Sequence, residues 1–125
     1  MSQLDVWPQD PPPPFAYGFD VDVLVEGRRV VVVPRGELDI GTLGRLEAEL
    51  VQACARAQAV VLDLRQLTFM DSTGLQLLLR TDLESRRRGG SFSIVEADGP
   101  VARLLTITGL RDRFHHAGPD LGVRP

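Results

Sequence analysis

Lysine is missing from this 125-residue chain, and cysteine, tryptophan and tyrosine each occur once. Without lysine, no glycine-rich phosphate loop of the lysine-bearing kind can form. The single cysteine, Cys54, excludes a disulfide framework and a cysteine-built zinc site. No His, Asp and Glu cluster has metal-ligand spacing, so no metal site is expected. No run of about 18 apolar residues occurs, which leaves no candidate membrane-spanning helix. The opening residues Met1-Ser2-Gln3-Leu4-Asp5 lack the basic flank and apolar stretch of a secretory signal. Net charge is −3, whereas nucleic-acid binding normally calls for a basic face. These absences predict a soluble cytoplasmic protein with neither a nucleic-acid nor a membrane partner.

The residues present read as one globular domain. Hydrophobic residues make up 43% and charged residues 25% of the chain. A domain near this length buries about two-thirds of its unfolded surface and needs no staples. Residues 1–18 stand apart. Pro8 and the run Pro11 to Pro14 cannot join a ladder or a helix interior and favour an extended polyproline conformation, with Trp7, Phe15 and Tyr17 around them. This segment reads either as a solvated, flexible leader or as a ligand for a proline-reading groove. The domain is expected over residues 19–116, followed by a loose tail over 117–125.

Asp20 to Glu26 alternates polar and apolar residues as a half-buried strand does. Gly27-Arg28 is a turn. Arg29 to Val33 is β-branched enough for a strand covered on both faces, and the pair predicts a hairpin. Leu43, Leu46, Leu50, Cys54 and Ala57 recur at steps of three and four, predicting a helix from 43 to 57 with Cys54 as a small buried hydrophobe. Asp39 or Thr42 can cap it. Ala59 to Leu64 is a short buried strand, and residues 65–70 lead to a second helix. Leu75, Leu78, Leu79 and Leu83 are its expected inward stripe, and Leu75, Leu79 and Val61 are expected in the core. Arg86 to Arg88 suit the negative end of that helix, and Gly89-Gly90 ends it. Ser91 to Val95 is a strand. A third helix starts at Gly99-Pro100, turns Val101, Leu104, Leu105 and Ile107 inward, and closes at Gly109. The order predicts an α/β fold, a single mixed, mostly parallel sheet with an N-terminal antiparallel hairpin strand, flanked by helices. No oligomeric state follows, although the edge strand from Asp20 to Val25 is free to pair.

The segment Phe69-Met70-Asp71-Ser72-Thr73-Gly74-Leu75 carries the most information. It sets a hydroxyl at a helix start, where free backbone N–H groups and the helix dipole favour an anion. Three readings compete. Asp71 and Ser72 are preferred capping residues, so the block can be purely structural. Alternatively, Ser72 can accept a phosphoryl group without unfolding its host. That adds about −1.5 to −2 charges beside Asp71, Glu37 and Asp39 and expels a partner packed there. A serine hydrolase using Ser72 with His115 or His116 ranks third. The first glycine of a nucleophile elbow is absent, and the two histidines fall in an expected loop.

Gly36-Glu37-Leu38-Asp39, the strand Val60 to Leu64, the Phe69 to Leu75 block, Gly89-Gly90 and Val101-Ala102-Arg103-Leu104-Leu105-x-x-x-Gly109-Leu110 together resemble a STAS domain. The pattern is most similar to the bacterial anti-sigma-factor antagonists and covers about residues 19–116. The resemblance implies a partner-switching regulator rather than an enzyme. Such a protein binds an anti-sigma factor, usually a serine-protein kinase, when unmodified. It is released on phosphorylation and restored by a serine phosphatase. Carried over, Ser72 is the acceptor, with Thr73 the weaker alternative. Asp39, Asp71, Thr73 and Gly74 fall on the partner-binding surface, and ATP belongs to the kinase, so the resemblance implies no bound cofactor here. The proline-rich leader lies outside the family pattern, and His115-His116-Ala117-Gly118-Pro119 reads as loop where many members continue a helix. A STAS scaffold or small-ligand-sensing module without the switch is the alternative of a different class.

Overall fold

A computed structural model describes residues 18–118. The expectations for the leader before Gly18 and for the tail after Gly118 lie outside the described residues. Strands β1 (Asp20–Glu26) and β2 (Arg29–Leu38) form the predicted hairpin, antiparallel, with Glu26 opposite Arg29 across the Gly27-Arg28 turn. Helix α1 (Leu43–Arg56), strand β3 (Ala59–Asp63) and strand β4 (Leu67–Met70) follow. Helix α2 (Ser72–Arg87), strand β5 (Ser91–Val95), helix α3 (Pro100–Thr108), a 3-10 turn at Arg111–Arg113 and strand β6 (His115–His116) complete the order. The sheet runs β1-β2-β3-β5-β6, with β4 attached to the far end of β2, and every pairing except β1–β2 is parallel. The predicted mixed sheet with an antiparallel edge is the one observed.

The strand β2 is longer than its valine run suggests. Pro34 falls between the last pair with β3, Val32 opposite Leu62, and the first pair with β4, Gly36 opposite Leu67. A missing N–H is tolerated where the strand changes partner. Past it, Gly36 takes φ +103°, and a Cβ there would lie 1.5 Å from the Gly18 carbonyl oxygen. Only glycine lets the incoming chain cross β2 at that point.

The helices pack on one face of the sheet. Leu46, Leu50 and Ala53 of α1, Leu75, Leu77 and Leu78 of α2, and Val101 and Leu105 of α3 join Val30, Val32, Val60, Leu62, Phe92 and Ile94 in one core. Phe114 closes it edge-on against Phe92, with ring centroids 6.4 Å apart. Burying side chains of this size contributes about 1.5–3 kcal/mol each relative to leaving them in water.

Several local expectations change. Residues 67–70 are a strand rather than part of a lead-in. Their buried ends enclose the exposed pair Thr68 and Phe69, which hides the alternation. The inward stripe of α2 runs through Leu75, Leu78, Asp82 and Ser85, with Leu77 beside it, and Leu83 is 55% exposed. Asp82 holds that inward position because Arg113 and Arg86 reach its carboxylate at 2.8 and 3.3 Å. In α3, Ile107 faces water at 75% exposure, off the line of Val101 and Leu105. His115 and His116 form a strand rather than a loop, paired in parallel with Ser93 and Ile94. The pairing continues as Ala117 N–H donates to the Ile94 carbonyl at 2.9 Å, so Ala117, expected in a loose tail, is tied to the sheet.

Candidate functional site

β2 and β4 end side by side. Leu38 lies opposite Met70, and the Asp71 N–H donates to the Leu38 carbonyl at 3.3 Å. Asp39 and Asp71 therefore leave adjacent strands at matching positions, one toward α1 and the other into α2.

Asp71 caps α2. Its Oδ1 accepts the Thr73 N–H at 3.0 Å, the Gly74 N–H at 3.2 Å and the Thr73 hydroxyl at 2.5 Å. The Thr73 hydroxyl, followed by the Gly74 and Thr73 amides, holds the Asp71 carboxyl below the usual carboxylate range against an opposing push from burial. The anion expected at this helix start is thus the protein's own carboxylate, and the Thr73 and Gly74 amides are not spare. A phosphoryl group on Ser72 would meet a filled cap and a fixed negative charge.

The two hydroxyls differ sharply. Thr73 is half-buried and its hydroxyl is engaged with Asp71. Ser72 is exposed, and among the described residues its hydroxyl has no hydrogen-bond partner. Gly74 is buried, and a Cβ there would meet Met70 Cγ at 2.6 Å and Leu38 Cδ2 at 2.9 Å. Its lack of a side chain seats the first turn of α2 against the ends of both strands.

The Asp39 turn is equally ordered. Asp39 Oδ1 accepts the Gly41 N–H at 2.9 Å, and the Asp39 N–H donates to the Thr42 hydroxyl at 3.0 Å. Thr42 stands at the N-cap of α1 but does not cap through its side chain. Its hydroxyl instead donates to the Glu37 carbonyl at 2.8 Å, tying the turn to β2. Glu37, paired with Phe69, is exposed.

Two apolar side chains at this end of the sheet escape a reading of the sequence. Ile40 is 78% exposed and Phe69 43% exposed. Each adjoins the acidic turn or the Asp71 cap in sequence. Patterning assigns such residues to the core, and no signal in the chain marks them as outward.

The histidines are not gathered with Ser72. His116 Nε2 lies 2.8 Å from the Arg111 carbonyl, and its Nδ1 lies 3.2 Å from the Glu96 carboxylate. Among the described residues no group of three or more His, Cys, Asp or Glu can hold a metal, and no helix is long and apolar enough to cross a membrane. A groove of about 310 Å³ runs between α1 and α2, lined in part by Val51, Cys54, Arg80, Glu84 and Arg88. Burial pushes the Cys54 thiol up and Glu84 adds to the push, while Arg88 opposes it, so Cys54 lacks the depressed pKa of a reactive cysteine.

The chain as a whole is similar to known proteins. The STAS domain model covers residues 20–122, and the chain belongs to that family. It is 34% identical over 95 residues to the anti-sigma F factor antagonist of Paenibacillus polymyxa, spanning 73% of this chain and 81% of that one. The crystal structure of an anti-sigma factor antagonist from Mycobacterium paratuberculosis superposes with a TM-score of 0.73 at 28% identity, covering 82% of this chain and 88% of the other. The Bacillus cell fate determinant SpoIIAA in its phosphorylated form shares the fold, with a TM-score of 0.62 at 22% identity over 82% of this chain and 93% of that one.

Proposed function

We propose that this chain is an anti-sigma-factor antagonist working by partner switching in the cytoplasm. Unmodified, it binds an anti-sigma factor that is also a serine-protein kinase. Phosphorylation of Ser72 releases it, and a serine phosphatase returns it to the binding form. The unit that switches is the domain over residues 19–116, and it carries out no chemistry of its own, since the kinase supplies the ATP.

One observation carries this reading: Ser72 presents an exposed, uncommitted hydroxyl on a fixed helix start, while the neighbouring Thr73 hydroxyl is held by Asp71. An acceptor must enter a kinase active site, and Ser72 can do so without breaking a bond. The names of the relatives support the identity of the partner. The added phosphate brings about −1.5 to −2 charges beside the Asp71 carboxylate. With the amides of Thr73 and Gly74 already occupied, that charge acts on the partner through bulk and repulsion, and the domain has no reason to refold. Asp39, Asp71 and Thr73 shape the surface around the serine, and Gly74 acts from beneath it by seating the helix. Ile40 and Phe69 supply the apolar contacts a partner would bury.

Incubation with ATP and the cognate kinase, followed by peptide mass spectrometry, tests the assignment. A single phosphate on Ser72 is expected. An unmodified Ser72, or modification at Thr73, would defeat it.

A further inference from the structure

The end of α2 remote from Ser72 carries its own polar group. Ser85 lies about 20 Å from Ser72 along the helix axis, at about 1.5 Å per residue. It is 4% exposed, and among the described residues its hydroxyl has no hydrogen-bond partner. With Cys54, Arg56, Gln58, Arg88 and Gly90 it lines a recess of about 310 Å³ at the C-terminal ends of α1 and α2. Gly90 leaves that hydroxyl uncovered. A Cβ there would lie 3.3 Å from Ser85 Oγ and 2.6 Å from the Gln58 carbonyl oxygen. The recess continues into the groove between α1 and α2, because Cys54 and Arg88 line both. Leu50, Val51 and Leu77 give the groove its apolar wall, and Arg80 reaches Glu47 across its far end at 3.4 Å.

The charge in the recess is positive. Among the described residues no acidic side chain lines it, and Arg56 is exposed with no ion-pair partner. Glu84, on the groove side, is shared by Arg87 at 2.9 Å and Arg88 at 2.8 Å. Arg88 uses its Nε for that pair, which leaves its terminal amino groups uncommitted among the described residues. The guanidinium groups of Arg56, Arg87 and Arg88 thus outnumber the one carboxylate, and their surplus exceeds the roughly half negative charge that each helix end sets against an anion. Burial pushes the Cys54 thiol up, so it adds no negative charge. We propose that recess and groove together bind a small organic anion. Its anionic group meets Ser85, Arg56 and Arg88, and its short apolar body lies between α1 and α2 against Val51 and Leu77. The recess volume falls at the lower end of the range for small-molecule sites, about 300–1,000 Å³. The Glu47–Arg80 pair limits the length of the body. The site is separate from the Ser72 surface, and the inference is independent of the role of Ser72.

NMR titration of the full-length chain, with labelled amides and methyls, tests it. Octanoate is the probe, and n-octylammonium and inorganic phosphate are the comparisons. Octanoate should cause saturating shifts at the Gln58, Ser85 and Gly90 amides and at the Leu50, Val51 and Leu77 methyls. Joint Arg56→Gln and Arg88→Gln replacement should weaken its binding about tenfold or more, the scale of a lost charged hydrogen bond. Val51→Asp, at a position 62% exposed, should weaken it as well by setting a carboxylate beside the apolar body. Shifts that never saturate or that centre elsewhere would overturn the proposal. So would octylammonium or phosphate binding as tightly as octanoate, or unchanged octanoate affinity in both variants.

Discussion

The Asp71 carboxylate binds the hydroxyl and the amide of Thr73 through one oxygen, at 2.5 and 3.0 Å, and leaves the intervening Ser72 facing solvent. Two adjacent hydroxyls are thereby given different work. One completes a helix cap, and the other is exposed and uncommitted among the described residues.

Replacing the free hydroxyl should be structurally silent. Ser72→Ala removes no bond and empties no cavity, so stability should change by less than about 0.5 kcal/mol, as for other surface substitutions. Thermal denaturation checks this. The same variant should take up no phosphate from the kinase and should stay bound to its partner.

Removing the cap should be costly. Asp71→Ala strips the acceptor from two amides and one hydroxyl and should destabilise the domain by about 0.5–2 kcal/mol. The effect depends on pH. The Asp71 carboxyl is held below its ordinary value in the folded state. Its contribution is therefore complete above the unfolded pKa, about 3.9, and drains away as the pH falls through the lower folded value. Denaturation midpoints of the native chain should drop in that acid window, and Asp71→Asn should flatten the drop.

The close seat of α2 depends on Gly74. Gly74→Ala drives a methyl group into Met70 and Leu38, and overpacking of this kind costs about 1–3 kcal/mol. Because the shift would move Ser72 with the helix start, phosphorylation by the kinase should slow as well. Denaturant titration and initial phosphorylation rates measure the two effects.

Ile40 is 78% exposed, so Ile40→Ser should leave the melting temperature nearly unchanged, whereas Phe69→Ala, at a side chain 43% exposed, should lower it modestly. Apolar anchors at a protein interface often dominate its energy. Each change should weaken partner binding about tenfold, equivalent to about 1.4 kcal/mol, by calorimetry.

The frame of this fold is written plainly in the sequence. Alternation in Asp20 to Glu26, the valine run before Pro34 and the three-and-four spacing of Leu43, Leu46 and Leu50 correspond to strand, strand and helix. The Asp-Ser-Thr-Gly block after a strand locates the helix start. What stays hidden depends on contacts between distant segments. Asp82 reads as a surface residue until Arg113, 31 positions away, pairs with it, and so Leu83 is taken for core in its place. Strand β4 is only four residues long and is held by β2 rather than by its own pattern. The engagement of the Thr73 hydroxyl depends on side-chain geometry, which spacing does not reveal. Ile40 and Phe69 look like core residues because hydrophobicity alone does not say which way a side chain turns.

The account rests on Ser72 as a charge-operated release, and the most direct test compares two forms of one protein. Affinity for the anti-sigma partner should be measured by calorimetry with the unmodified chain and with the chain phosphorylated stoichiometrically on Ser72, the circular dichroism of the two forms being compared in parallel. The prediction is a loss of at least about tenfold in affinity, about 1.4 kcal/mol, with superimposable spectra. Equal affinity of the two forms would contradict the account.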